Sequence, residues 1–223
     1  MIVLGIDGGL GGFSAAVVRD AETLAAIHLS GQVALEQGLP TVAAVLQRAG
    51  IRPHRLDRVA VSIGPGSFTG VRIVISFAKS LAQGWQVPLV GVNSFDAIES
   101  GAQLPAGRAL TVVRGRKGVI SVRLRGGGAE WRASGYVADV LEQLGSALTG
   151  VWDDKRVVVL GNAEDVLPGL AERGFSVQEI PRVIEPAALA LATVALRREP
   201  ARSLHEIRAD YGELPAARIP KSL

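Results

Sequence analysis

The stretch from Val59 to Gly84, VAVSIGPGSFTGVRIVISFAKSLAQG, limits the possible folds of this chain more than any other segment. It opens with an apolar run, Val59 to Ile63, of the length and β-branched content of a buried strand. Gly64-Pro65-Gly66-Ser67 then forces a tight turn, because glycine allows positive φ while proline fixes one φ and removes a donor. A helix is predicted from Phe68 to about Gln83, capped by Ser67 or Thr69 and stopped by Gly84. The unit is therefore strand, turn, helix, the building block of an α/β protein.

Placing the helix residues at roughly 100° intervals separates a polar stripe from the rest. Thr69, Arg72, Ser76, Lys79, Ser80 and Gln83 form the stripe. Phe68, Val71, Ile73, Val74, Ile75, Phe77, Ala78, Leu81 and Ala82 cover the remaining circumference. One apolar flank would lie on the helix's own sheet. The opposite flank needs a second partner, another domain or another chain. Phe68, Val71, Arg72, Val74, Ile75 and Ala78 are accordingly expected on an association surface, with Glu36 and Leu39 of a neighbouring helix beside them.

The chemistry of the turn leaves two uses open. A glycine-rich turn before a helix can cradle phosphate on free N–H groups, or it can be purely structural. GxxxxGK[ST] is absent, so it is not a P-loop, and GxGxxG is absent too. The run GPGSFTGVRI, followed by AKSLAQ and PLVGVNSF, resembles the TsaB (YeaZ) family of bacterial proteins. The resemblance is clear from about Ile2 to Ile98 and fades beyond it. It implies a two-lobed α/β fold of the actin-like, sugar kinase and Hsp70 ATPase (ribonuclease H-like) type. It also implies a non-catalytic subunit that supports transfer of a threonylcarbamoyl group to the adenosine beside the anticodon of tRNA. The implied partners are a metal-bearing TsaD-type paralogue, a TsaE-type ATPase subunit, tRNA through the complex, and a second copy of the chain when it is alone.

With 223 residues, 48% apolar content and 27 glycines, the chain suits one large or two small compact α/β domains. The absence of cysteine excludes a disulfide scaffold, a thiol nucleophile and a cysteine zinc site, and suits the cytoplasm. No run reaches the ~18–20 apolar residues that span a bilayer, and Met1 leads straight into a strand, so neither a membrane span nor a secretory leader is expected. Net charge is +3, all of it contributed by residues 108–223. There Arg108, Arg114, Arg116, Lys117, Arg123, Arg125 and Arg132 have only Glu130 nearby in sequence. Such a patch can meet an anion such as RNA, with Arg114, Arg116 and Lys117 the candidate contacts, or it can be a solvated hairpin.

Ile2 to Ile6 reads as a strand ending at Asp7, followed by a glycine turn and strands Phe13–Val18 and Thr23–Leu29. Asp7, Gly8 and Gly9 resemble the first phosphate loop of the actin-like superfamily, where such an aspartate lies near metal and phosphates. TsaB relatives usually carry Thr-Ser where this chain has Gly8-Gly9, so hydroxyl contacts are missing and a strand-end role for Asp7 stands beside the functional one. Leu35 to Ala49 is a predicted helix, with Pro40 implying a bend or a late start. Of the family's His-Ser-Glu string only Glu36 remains. A boundary is expected in the Pro/Gly-bearing stretch 102–108, dividing an N-terminal lobe, 1–105, from a C-terminal lobe, 106–223. The second half opens with another hairpin and continues with alternating helices and strands. At that hairpin Arg116 and Gly118 match the family run, while its acid and tyrosine are replaced.

His28, His54 and His205 are far apart, and neither HxxxH nor HExxH spacing occurs. No GxSxG elbow surrounds Ser67, which reads as a helix cap. The residues thus point to no cofactor, no metal and no catalytic group. Two functions remain: a scaffold that binds a partner enzyme, or an ATPase or phosphotransferase built around Asp7.

Overall fold

A computed structural model describes residues 1–20, 22–31, 34–100, 102, 109–126, 128–151, 156–180 and 187–212. The first sheet contains β1 (Ile2–Asp7), β2 (Phe13–Arg19), β3 (Glu22–Leu29), β4 (Arg58–Ser62) and β5 (Leu89–Val92) in the order β3-β2-β1-β4-β5. β1 to β3 form an antiparallel meander, and β4 and β5 add in parallel. The second sheet repeats this plan with β6 (Ala109–Arg114), β7 (Val119–Gly126), β8 (Ala129–Tyr136), β9 (Arg156–Gly161) and β10 (Ser176–Ile180), ordered β10-β9-β6-β7-β8. Each sheet thus carries three antiparallel strands followed by two parallel ones. The structure is an α/β fold of two similarly built lobes, of the actin-like type.

β1, β4 and β5 of the first sheet are largely apolar because both of their faces are covered. Leu4, Ile6, Val59, Val61 and Leu89 point to one face, under α1 (Gly38–Ala49) and α2 (Phe68–Trp85). Val3, Ala60, Val90 and Val92 point to the other, which receives α6 (Ala187–Ala195) and, through Ala97, α3 (Ser94–Glu99). Gly5 allows α6 to approach, since a Cβ there would collide with the Ala188 carbonyl. In the second lobe, α4 (Val137–Val151) and α5 (Leu167–Glu172) cover Leu110, Val122, Val157 and Val159.

The expected boundary at 105/106 lies outside the described residues. The expectation that everything from 106 onward stays with the second lobe does not match the packing. α6 lies on the first sheet, and Ile207 joins the core beneath α1 and α2. Ala- and Leu-rich, α6 is apolar nearly all round and finds its cover across the molecule. No described helix is long and apolar enough to cross a membrane.

Several boundaries shift for local reasons. α1 starts at Gly38 rather than Leu35, with Pro40 in its first turn where no N–H is required. Gly38 is needed there, because a Cβ would fall 2.6 Å from the Phe77 ring and 3.0 Å from Phe13. α2 continues past Gly84 to Trp85 and is closed by Gln86 at φ 56°. β8, with its mixed sequence AEWRASGY, carries no apolar run and escapes a sequence reading.

Candidate functional site

The GPGSFTG turn meets the Asp7–Gly9 loop at the end of β1. Ser67 caps α2 by accepting from Gly70 N at 3.2 Å, and Ser67 N donates to the Gly9 carbonyl at 2.9 Å. Gly70 lies directly against the Gly8 carbonyl, and Gly66 against the Gly9 carbonyl. A Cβ on Gly8 would be 2.5 Å from Val74 Cγ1 and 3.0 Å from Leu35 Cδ2. The Asp7 side chain, almost fully buried, accepts from Gly9 N and Leu10 N at 3.1 Å each. In an anion-binding loop those amides would face the ligand. Here the Asp7 carboxylate takes two of them, and Gly70 and Val74 of α2 pack against Gly8. With those two amides bonded to Asp7, the loop in this form does not offer them to a phosphate. Among the described residues no group of three or more His, Asp or Glu side chains is placed to hold a metal ion.

The apolar width of α2 is real, but its flanks are assigned differently from the sequence expectation. Val71, Val74, Ile75 and Ala78 are buried in the first lobe's core, Val71 at 1% exposure and Val74 at 0%. Burying each of the three larger side chains is worth about 1.5–3 kcal/mol, so these residues hold the helix on its sheet rather than meeting a partner. The second flank is Phe77, Leu81 and Trp85, one helical turn apart, and it leans toward α1. Much of the second partner that the sequence demanded is thus the chain's own α1. The cover is incomplete. An apolar cavity of about 470 Å³ runs between the helices, lined by Leu39, Val42, Leu46, Leu81 and Trp85 among others. Leu39 (49% exposed) and Phe68 (54%) are large apolar residues open to solvent on these helices, with Glu36 and Arg72 exposed as well. Of the eight residues expected on the association surface, Glu36, Leu39, Phe68 and Arg72 remain. Leu81 and Trp85, half-buried, line the groove. Their i, i+4 spacing on one flank is a signal that the sequence does carry.

Three candidate RNA contacts lie in or beside the β6–β7 turn. Arg114 pairs with Glu164 and Asp165 at 2.8 Å each, and the hydrogen bond from its guanidinium to Asp165 is the main cause of its raised pKa. Arg116 donates to Tyr136 Oη at 3.3 Å and lies over that ring. Lys117 is exposed. The other described arginines of the patch are compensated by Glu130 nearby and by acids distant in sequence. Arg123 is fully buried and pairs with Asp96 and Glu99 of α3 at 2.7 Å each. Arg125 reaches Glu99 and Glu130, and Arg132 reaches Glu130. Arg198, after α6, holds the other Asp96 oxygen at 2.6 Å. Burial alone would raise the Asp96 carboxyl; the Arg198 hydrogen bond and the Arg123 charge outweigh it and hold it below its usual range. Arg108 lies outside the described residues. Glu130 is therefore not the only counter-charge, and the patch is largely an ion-pair network joining the lobes.

Comparison with known proteins agrees with this architecture. The family model described as TsaD, tRNA N6-adenosine threonylcarbamoyltransferase, matches residues 32–148, just over half of the chain. The tRNA threonylcarbamoyladenosine biosynthesis protein TsaB of Escherichia coli (strain K12) is 28% identical over 203 residues, covering 87% of this chain and 86% of its own length. The tRNA N6-adenosine threonylcarbamoyltransferase of Paracoccus denitrificans is 38% identical over 107 residues, covering 40% of this chain and 30% of its own. Among solved structures, YeaZ from Pseudomonas aeruginosa superposes with a TM-score of 0.66 at 19% identity, over 94% of this chain and 99% of that one. With the family match spanning most of the first lobe and its crossing into the second, the chain belongs to the tRNA N6-adenosine threonylcarbamoyltransferase family, as a TsaB (YeaZ) member.

Proposed function

We propose that the chain works in threonylcarbamoyladenosine modification of tRNA as a non-catalytic subunit. It binds and activates the metal-bearing TsaD-type paralogue, which transfers the threonylcarbamoyl group to the adenosine next to the anticodon. A TsaE-type ATPase subunit and tRNA engage the assembly rather than this chain alone, and all of this takes place in the cytoplasm. The observation that carries the reading is the closed loop at Asp7. Its carboxylate accepts from two amides of its own turn, and Gly70 and Val74 of α2 pack closely against Gly8. A loop whose carboxylate is tied to its own amides supports a role as a surface over one as a phosphotransferase. The surface is formed by α1 and α2, where Leu39 borders an apolar groove and Phe68 is exposed separately at the first turn of α2. Without the paralogue, a second copy of the chain uses the same face.

Sedimentation of the chain mixed with the paralogue tests this. Phe68→Asp and Leu39→Asp replace an apolar contact with a charge on the face, and each should weaken association about a hundredfold or more while the variants stay folded. Wild-type association by both variants would remove the face from the reading. Magnesium-dependent ATP turnover by the pure chain would instead favour an active phosphotransferase.

A further inference from the structure

After α6 the chain crosses the edge of the first sheet as a strap. Ala201 N donates to the Leu89 carbonyl at 2.9 Å and Asp210 N to the Ile63 carbonyl at 2.6 Å, with Ile207 buried between. The strap then reaches the GPGSFTG turn. The Asp210 carbonyl rests on Gly64, whose φ of +96° leaves no room for a Cβ. Both Asp210 carboxylate oxygens are used, one accepting from Asn93 Nδ2 at 2.9 Å and one from Gly212 N at 3.0 Å. Tyr211 stacks on Phe68 with ring centroids 4.7 Å apart, and the Arg72 guanidinium lies over the same Phe68 ring at 5.2 Å. Gly212, at φ +68°, lies against the Ser121–Ser134 hydroxyl pair of the second lobe and against Pro65 of the first. Between the lobes this leaves a cavity of about 280 Å³, lined by Pro65, Phe95, Arg132, Ser134, Asp210 and Gly212 among others.

We propose that residues 208–212 are a tie between the lobes that also orients Phe68, so that the association face and the interlobe cleft are mechanically coupled. The turn carries three loads at once: the Asp7 loop on one side, the strap on another, and the β6–β7 hairpin near its Gly66 carbonyl. Releasing the strap frees the turn, the Phe68 ring and the Ser121–Ser134 contact together. The link to association rests on the proposed function; the tie between lobes does not.

Hydrogen–deuterium exchange on the full-length chain decides the tie. Asp210→Ala removes both carboxylate hydrogen bonds, and each hydrogen bond to an ionised group corresponds to about tenfold in a local opening equilibrium. Exchange should rise at least ~10-fold in 64–72 and in 119–123, while β1 keeps wild-type protection. Gly212→Val, which drives a side chain into Ser121 and Ser134, should do the same by displacing the strap. Wild-type exchange in both segments, in either folded variant, overturns the tie. Paralogue affinity tests the coupling separately. Phe68→Ala and Asp210→Ala should both weaken it. Loss with Phe68→Ala alone overturns the coupling, whereas no loss with Phe68→Ala overturns the association face and leaves the exchange result to decide the tie.

Discussion

Arg123→Met is the sharpest test of how the two lobes are held together. Arg123 lies on β7 with 1% exposure, sandwiched between Asp96 and Glu99 and stacked over the Phe95 ring at 5.1 Å. Met can replace the aliphatic stem but not the charge. Glu99 would keep Arg125 at 2.9 Å and the Thr111 hydroxyl at 2.6 Å; Asp96 would keep Arg198. Removing one partner of a buried pair costs about 3–5 kcal/mol because the remaining charge is left uncompensated. The residual arginines are each roughly 40% exposed, so water shares the compensation and the lower end, about 3 kcal/mol, applies. For a chain of this size that corresponds to a fall in Tm of about 6–12 °C. Equilibrium denaturation of both proteins measures it. Adding Glu99→Gln to Arg123→Met should recover part of the loss, because the orphaned charge goes with it. A cost under about 1 kcal/mol, or no recovery in the double variant, would refute the ion-pair lock.

Three further outcomes follow from the packing. Gly70→Ala should destabilise by about 1–3 kcal/mol, since its Cβ would meet the Gly8 carbonyl, whereas Gly84→Ala should stabilise by about 0.5–1 kcal/mol, because Gly84 lies in the last turn of α2 facing open space; denaturation midpoints of the pair read both signs. Val74→Asp should lose the fold itself, by about 3–5 kcal/mol on the same assay, because it buries a charge under α2, in contrast to the exposed Phe68→Asp. The Asp96 carboxyl has a folded pKa below its ordinary 3.8, so its contribution is fully present above 3.8 and is lost as pH falls through the folded value. Stability followed from pH 6 downward should drop less steeply in Asp96→Asn than in wild type, and identical slopes would show that Asp96 does not carry the effect.

The sequence reading reached furthest where the signal is local. The strand, turn and helix around GPGSFTG, the Ser67 cap and the doubled apolar width of α2 all follow from spacing and residue type. Periodicity says which residues share a flank, however, and not which flank meets the sheet. Val71 and Val74 were therefore expected outside and are core, while Phe77, Leu81 and Trp85 face α1. Charge counting along the chain failed for a similar reason. Arg123 finds its acids 24 and 27 residues away, on a helix of the other lobe. The return of α6 to the first sheet and the strap behind it are also nonlocal. A helix that is apolar all round signals burial, but nothing in its own residues names the sheet that covers it. At Asp7, the Gly8-Gly9 pair stands out in the sequence, but the close packing of α2 against Gly8 needed the structure.

Reconstituted modification tests the central claim most directly: transfer of labelled threonylcarbamoyl to tRNA by the paralogue with its ATPase partner, with and without this chain, and by this chain alone. The chain alone is expected to transfer nothing, and adding it to the paralogue to raise transfer to a plateau at one-to-one stoichiometry. Transfer by the chain without the paralogue, or a paralogue rate unchanged by its addition, would contradict the claim.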